Sequence, residues 1–327
     1  LSLAGCDSAV RMNTTGLSSS EAPKINLDVK KFTLNNGLRL LVVENHQLPI
    51  MSYYTFFDVG GRYEEKGTTG ATHFLEHMMF KGAKKYGPGI FDSTIEMNGG
   101  STNAYTTFDS TVYYENLSSS TLEKIVDMEA DRMQNLLLEE KSFEKERKVV
   151  LEERKYRYEN SPKGQLYLAM MQAVFAKTPY GGSVIGDEKD VKNLTRAQMR
   201  KYFKRFYTPD NAIIVVVGDV DANKTYRMVN EKFGSIPRST GLSEFKKKMD
   251  HPKRFAHKGK YKRSIKLHGE SPNPIFMMAF KGEKIGTRRG FVMDILSSIL
   301  GDGESSYFHQ KYVRSKRPTL SSIGVGN

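Results

Sequence analysis

His73 and His77 stand four residues apart, a spacing that puts both imidazoles on one face of a helix, where they can point at a single cation. Glu76 follows His73 by three residues, lies on nearly the same face, and can reach a water held by that cation. The order is HxxEH, the reverse of the commoner HExxH. Two imidazoles with one carboxylate leave a fourth tetrahedral position open, and zinc suits that donor set best.

A third ligand is expected downstream. Residues 141–159 read as one long helix. Steps of three and four from Glu153 reach Val150, Val149 and Glu146, a face that mixes apolar residues with carboxylates. The same steps from Glu152 reach Lys145, Lys148, Lys155 and Tyr156, a face suited to water. A carboxylate on an apolar face is costly unless it is paired or bound to a metal, so Glu153 is the expected ligand and Glu152 a solvated neighbour. Glu146, two turns earlier, is placed to hydrogen-bond a ligand histidine without touching the metal itself.

Elements able to position these groups are legible around them. Strand-like runs occupy 31–44 and 51–59, and a helix is expected over 70–80. Residues 103–114 alternate as a strand, Ser119 or Ser120 can cap a helix running towards Leu138, and another helical stretch covers 164–176. Thr195 opens a helix, and 212–217 is a buried strand. The mixed order indicates an α+β fold with helices packed on a sheet. The methionine pairs Met78-Met79, Met170-Met171 and Met277-Met278 read as core filling.

These motifs resemble the pitrilysin/insulinase-type zinc metallopeptidases, the inverzincins, and in particular their short-chain branch that is similar to mitochondrial processing peptidase. The resemblance rests on Gly60-Gly61-Arg62-Tyr63-Glu64, on 72–82 (THFLEHMMFKG) and on 98–114 (NGGSTNAYTTFDSTVYY). Pro179-Tyr180-Gly181, Ile185-Gly186 and Tyr207-Thr208-Pro209-Asp210-Asn211 extend it. It implies a glutamate ligand at the distance of Glu153. It implies two related domains, each a mostly antiparallel sheet covered by helices, the second incomplete in this chain. It further implies one Zn2+ per chain, with Glu76 as general base on the zinc-bound water. Asn103, Ala104 and Tyr105 would form an edge strand to which an unstructured peptide adds as another strand. The implied activity is that of a zinc-dependent endopeptidase; the alternative is a non-catalytic binding or assembly subunit of the same family.

The resemblance breaks at one place. Many relatives carry an Arg/Tyr pair that touches substrate after a Gly/Ser stretch. Here 301–306 (GDGESS) matches the stretch, but Tyr307 stands in the arginine's place and Leu320 or Ser321 in the tyrosine's. A dimer is therefore expected, and a heterodimer if a metal-free homologue supplies the pair.

Composition bounds the rest. The formal charge is +13, and eleven Lys/Arg fall between Arg238 and Lys266 against Glu244 and Asp250. This stretch, broken by prolines and glycines, reads as an exposed basic interdomain linker over 238–263 and not as a nucleic-acid track. It divides a catalytic domain over 24–237 from the start of a second domain over 264–327, in which 275–280 reads as a strand and 290–300 as an apolar helix. No apolar run reaches membrane-spanning length. The single cysteine, in Leu3-Ala4-Gly5-Cys6, resembles a bacterial lipoprotein processing site, followed by a polar tether up to residue 23. The expectation is a signal remnant and lipid-anchored tether over 1–23, at a membrane of the bacterial cell envelope, facing the periplasm or the exterior.

Overall fold

The computed structural model describes residues 27–250 and 264–327. Among them two compact units separate, one formed by 27–154 with 182–250, the other by 155–181 with 264–327. Cys6, the tether and 251–263 lie outside the described residues.

The first unit is built on a six-stranded sheet. Its strands are β1 (Lys30–Thr33), β2 (Arg39–Glu44), β3 (Ile50–Phe57), β4 (Ser101–Thr106), β5 (Thr111–Ser118) and β6 (Ala212–Gly218). They lie in the order β1-β2-β6-β3-β5-β4, with every neighbouring pair antiparallel except β2 and β6. β6 is the apolar run AIIVVVG, as suits a strand with neighbours on both edges. Burial alternates along β3: Met51, Tyr53, Thr55 and Phe57 are buried, while Ser52, Tyr54 and Phe56 are half-buried.

Helices of this unit are α1 (Ala71–Met79), α2 (Ile90–Met97), α3 (Leu122–Asn135) and α4 (Glu140–Arg154). The second unit contributes α5 (Pro162–Val174), after which the first resumes with α6 (Glu188–Asn193), α7 (Arg196–Phe206), α8 (Ala222–Phe233) and α9 (Leu242–Met249). α10 (Arg288–Gly301) belongs to the second unit. α7 starts on the expected Thr195, whose hydroxyl and the Gln198 side chain form a reciprocal capping box.

Several expectations need correction. The single strand-like run over 31–44 is a hairpin, because Asn36 and Gly37 turn the chain and Gly37 takes φ +89. The run over 103–114 is also two strands. The Thr107 hydroxyl accepts from the N–H groups of Asp109 and Ser110 and closes a turn at 107–110. Residues 238–250, expected at the start of an exposed linker, carry α9 instead. Leu242 and Met249 are buried, and Phe245 meets the ring of Phe206 at 5.5 Å. The helix expected to run to 159 changes from α to π winding at Lys155, which is also where the chain enters the second unit.

The second unit follows expectation for α10, which Thr287 caps by accepting from Gly290 N–H. Residues 275–280 do not form a strand: no described strand of this unit offers them a ladder, and Ile275, Phe276, Met278 and Phe280 are exposed. Met78 and Met79 are buried as core residues, whereas Met278 is exposed.

Beneath the sheet lies a charged group. Arg132 on α3 places Nη2 2.5 Å from Glu129 and 3.5 Å from Glu115 on β5, and all three side chains are buried. The guanidinium also lies 4.3 Å from the ring centre of Phe91 and 4.7 Å from that of Tyr113. Burial, followed by the charge of Glu129, pushes the Glu115 carboxyl well above its ordinary value, against the pull of Arg132. Such a group binds a proton in the folded chain that the unfolded chain releases, so its contribution to stability falls as pH climbs above the ordinary carboxylate value. Urea denaturation between about pH 5 and pH 8 should show a smaller loss of stability with pH in Glu115→Gln than in wild type. Arg132→Met, which leaves two buried carboxylates without their cation, should cost about 3–5 kcal/mol in the same assay.

Candidate metal centre

The start of α1 is fixed by two features. Gly70 adopts φ +85, and a Cβ there would fall 2.2 Å from the carbonyl oxygen of Ile185, so only glycine fits. The buried Glu64 carboxylate then accepts from Gly70 N–H at 2.7 Å and Thr72 N–H at 2.8 Å, serving as a cap from outside the helix. Burial pushes the Glu64 carboxyl up to about 7, although those two N–H groups pull it down.

α4 is laid against α1 by apolar contacts. Phe143, Glu146, Val150 and Glu153 follow one another by three, four and three residues and share a face. Phe143 stacks on Phe74 of α1 with centroids 4.7 Å apart, both rings buried. The Arg147 guanidinium lies 4.9 Å from the Phe143 centroid and donates to the carbonyls of Val191 and Leu194. Val149, expected on the inward face, is 44% exposed; Phe143 takes that place. Glu152 is exposed, as expected.

The ligand atoms of His73, His77 and Glu153 all come within 4.8 Å of one another. Glu153 Oε2 lies 3.6 Å from His73 Nε2 and 3.3 Å from His77 Nε2. A tetrahedron with metal–ligand bonds of about 2.0–2.2 Å has edges of about 3.3–3.6 Å, so the two separations from the carboxylate oxygen to the imidazole nitrogens fit a zinc-type ion. Glu146 Oε1 sits 2.9 Å from His77 Nδ1, which fixes the ring and directs Nε2 to Glu153. Its other oxygen meets Lys81 Nζ at 2.9 Å. Burial opposes the charge of Glu146, but His77 and Lys81 outweigh it and hold the carboxyl below its ordinary value. At His77 burial favours the neutral ring, yet Glu146 and Glu153 raise its pKa to about 9. A cation arriving at Nε2 must therefore displace a proton.

Glu76 is buried, and its carboxylate accepts from the Thr106 hydroxyl at the end of β4. β4 is an edge strand, and it carries Asn103, Ala104 and Tyr105. Thr107 N–H bonds Ser110 C=O, so antiparallel alternation turns the Ala104 and Thr106 main-chain groups outward and those of Asn103 and Tyr105 towards β5. The outward Ala104 N–H is bonded by the side chain of Asn103 at 2.8 Å. Tyr105 is 43% exposed.

The structure thus brings His73, His77, Glu153 and Glu146 together and joins Glu76 to the strand of Asn103, Ala104 and Tyr105. Sequence reasoning missed Thr106, although Thr102, Ala104 and Thr106 mark the face opposite Tyr105 by simple alternation. It also gave Glu64 no role, and the signal there was only an acid ahead of a glycine-started helix.

Zinc loading followed by calorimetry in buffers of different ionisation heat should show about one proton released per ion near neutral pH. Affinity should rise with pH until His77 titrates, and Glu146→Gln should weaken binding about 10–100-fold.

The Insulinase (Peptidase family M16) profile matches residues 39–188, and the Peptidase M16 inactive domain profile matches 193–320. The chain is 32% identical to a zinc protease PqqE of Helicobacter pylori, covering 87% of this chain and 64% of that protein. It is 32% identical to a mitochondrial-processing peptidase subunit beta of Blastocladiella emersonii, covering 70% of this chain and 50% of the other. The chain therefore spans about half to two thirds of the length of these relatives. Among solved structures, a protease from Helicobacter pylori superposes with a TM-score of 0.73 at 28% identity, over 89% of this chain and 70% of the other. The periplasmic protease PqqL from Escherichia coli gives 0.60 at 26% identity, over 66% of this chain and 25% of its own.

Proposed function

The chain belongs to the M16 (insulinase) family of peptidases, and on that footing we propose that it is a zinc-dependent endopeptidase acting on unstructured peptides. The observation that carries this reading is the convergence of His73, His77 and Glu153, whose ligand atoms lie within 4.8 Å of one another, with Glu153 Oε2 at tetrahedral-edge distance from both Nε2 atoms. His73, His77 and Glu153 would hold one zinc ion per chain, with Glu146 orienting His77. When bound, zinc supplies a Lewis acid that acidifies water and polarises a carbonyl.

The remaining work falls to the chain. Glu76 takes the proton of the attacking water on its carboxylate and delivers it to the leaving amine. Its neighbour Thr106 aims that carboxylate through the hydroxyl contact. The outer edge of β4 offers the Ala104 and Thr106 main-chain groups to an extended peptide, so affinity comes from backbone pairing and asks little of the peptide's sequence. A folded protein presents no such free strand, which restricts substrates to unstructured segments.

Two features support a dimeric protein with a metal-free homologue as partner. Tyr307 and Leu320 or Ser321 stand where an Arg/Tyr pair is expected, and one relative is named as a peptidase subunit. A bacterial envelope location agrees with the periplasmic naming of PqqL, and lipidation of Cys6 at a membrane surface rests on the sequence Leu3-Ala4-Gly5-Cys6. Among the described residues no helix is long and apolar enough to cross a membrane.

Hydrolysis of a pool of quenched, unstructured peptides by the full chain tests the reading. Glu76→Gln should keep its metal and lose turnover by about 10²–10⁴-fold, since only the proton acceptor is removed. Glu153→Gln should lose the metal itself; equal zinc content in Glu153→Gln and wild type would sink the ligand assignment. Peptides N-methylated at alternate backbone positions should be cleaved poorly whatever their side chains, because they cannot pair with β4. Cleavage that appears only on adding a metal-free homologue would assign the missing pair to a partner.

A further inference from the structure

One short segment touches both halves of the candidate site. Gly60, Gly61 and Arg62 run against the tip of the β4–β5 hairpin: Gly61 N–H donates to Thr107 C=O at 3.1 Å and Arg62 N–H to Phe108 C=O at 2.9 Å. The approach is so close that a Cβ on Gly60 would meet Thr107 O at 2.4 Å. Two residues on, Glu64 holds the start of α1. The segment, extended to Glu64, therefore contacts both the start of the helix of His73, Glu76 and His77 and the turn in which the strand of Asn103 to Thr106 ends.

The Arg62 side chain closes this arrangement with charge. Its Nε lies 3.1 Å from Asp109 at the hairpin tip, its Nη1 3.1 Å from Asp250 at the end of α9, and its Nη2 3.8 Å from Asp58. Arg62 Nη2 also donates to the Tyr63 hydroxyl at 2.6 Å, and that hydroxyl donates to Asp250 at 3.2 Å. The Arg62 side chain is 21% exposed while its three aspartate partners stand out towards solvent, so the pairs act together as a network and not through the strength of any one of them. α9 is held in turn by Lys246, whose Nζ reaches Asp58 at 2.5 Å and Asn211 at 2.6 Å.

We propose that Arg62 is a positioning residue that braces the β4–β5 hairpin between the 58–64 loop and α9, and so sets where the β4 edge stands relative to Glu76. This rests on the reading of β4 as the substrate edge. A planar guanidinium facing three aspartates in three directions fits the task, and a lysine, with a single point of charge, does not replace it. Removing the charge leaves Asp109 and Asp250 without their shared cation, while Asp58 keeps Lys246, which loosens the hairpin tip but leaves the ligand histidines in place.

The test uses the zinc-loaded full chain in a Glu76→Gln background, where peptides bind without being consumed. Two measurements are made: hydrogen exchange of the 101–111 amides, and the Kd of a fluorescent unstructured peptide. Arg62→Gln should speed exchange in the hairpin about tenfold while that of α1 is unchanged, and should weaken the peptide about three- to tenfold. Asp109→Asn, a change at an exposed tip, should reproduce the direction and guards against a misfolded Arg62 variant; Arg62→Lys should fall between. Unchanged hairpin exchange in both variants would overturn the brace. Faster exchange with an unchanged Kd would overturn the link to substrate while leaving the brace standing, and so locate the failure in the edge-strand reading. Loss of zinc in Arg62→Gln would overturn the separation of hairpin from ligands.

Discussion

Gathering Glu76, Glu146 and Glu153 around two histidines in a sheltered site is electrostatically costly, and much of the surrounding structure follows from how that cost is met. Lys81 balances Glu146, and a proton held on His77 up to about 9 balances the pair of carboxylates it faces. A divalent ion among the same atoms would do so more completely, since two positive charges would replace one. The apolar packing does not create this charge arrangement, but it holds it in place. Phe74 against Phe143 keeps α4 close enough to α1 that the carboxylates cannot swing out to water without unpacking two buried rings, a change of the kind that costs about 3–5 kcal/mol per ring lost.

The same logic extends to the sheet. α1 is capped by Glu64 and reaches β4 through Glu76 and Thr106, so helix and edge strand share one hydrogen-bonded line. The other buried charged group, Glu115 with Glu129 and Arg132, lies under the same strands and fixes α3 against β5. Two polar clusters, one oriented to an edge and one sealed under the sheet, thus tie helices to strands from the same face. The first has chemistry to offer because an edge strand and its solvent lie beside it; the second has none, being closed off by Phe91 and Tyr113.

The grouping of the candidate ligands was legible because its signal is local and periodic. His73, Glu76 and His77 lie within five residues, and Glu146 and Glu153 fall on a face that a helix period defines. Long-range geometry was not legible. The Thr106 contact with Glu76 and the ion pairs of Arg62 join segments that are distant along the chain, and no spacing rule connects them. The two missed hairpins show a different limit. In 31–44 and 103–114 the residues flanking the turn keep the alternation of a strand, and a Thr side-chain turn is a weaker signal than the run around it. The basic segment after 238 was read by its charge and its prolines and glycines, whereas Leu242, Phe245 and Met249 recur at the spacing of a buried helical stripe and decide its structure.

Asn103 has a consequence for the chain's behaviour in concentrated solution. An edge strand with unfilled main-chain groups is a template for pairing with another copy, and proteins commonly blunt such edges with charge or proline. Here the Asn103 carbonyl occupies the outward N–H of Ala104. Any incoming strand, from a peptide or from a second copy, must first displace that carbonyl, so the short local bond acts as a guard against fibril-like stacking. A guard made of one neutral hydrogen bond is weak enough to yield to a peptide with several to offer, and for the same reason this edge is where self-association would begin if the protein were crowded or partly unfolded.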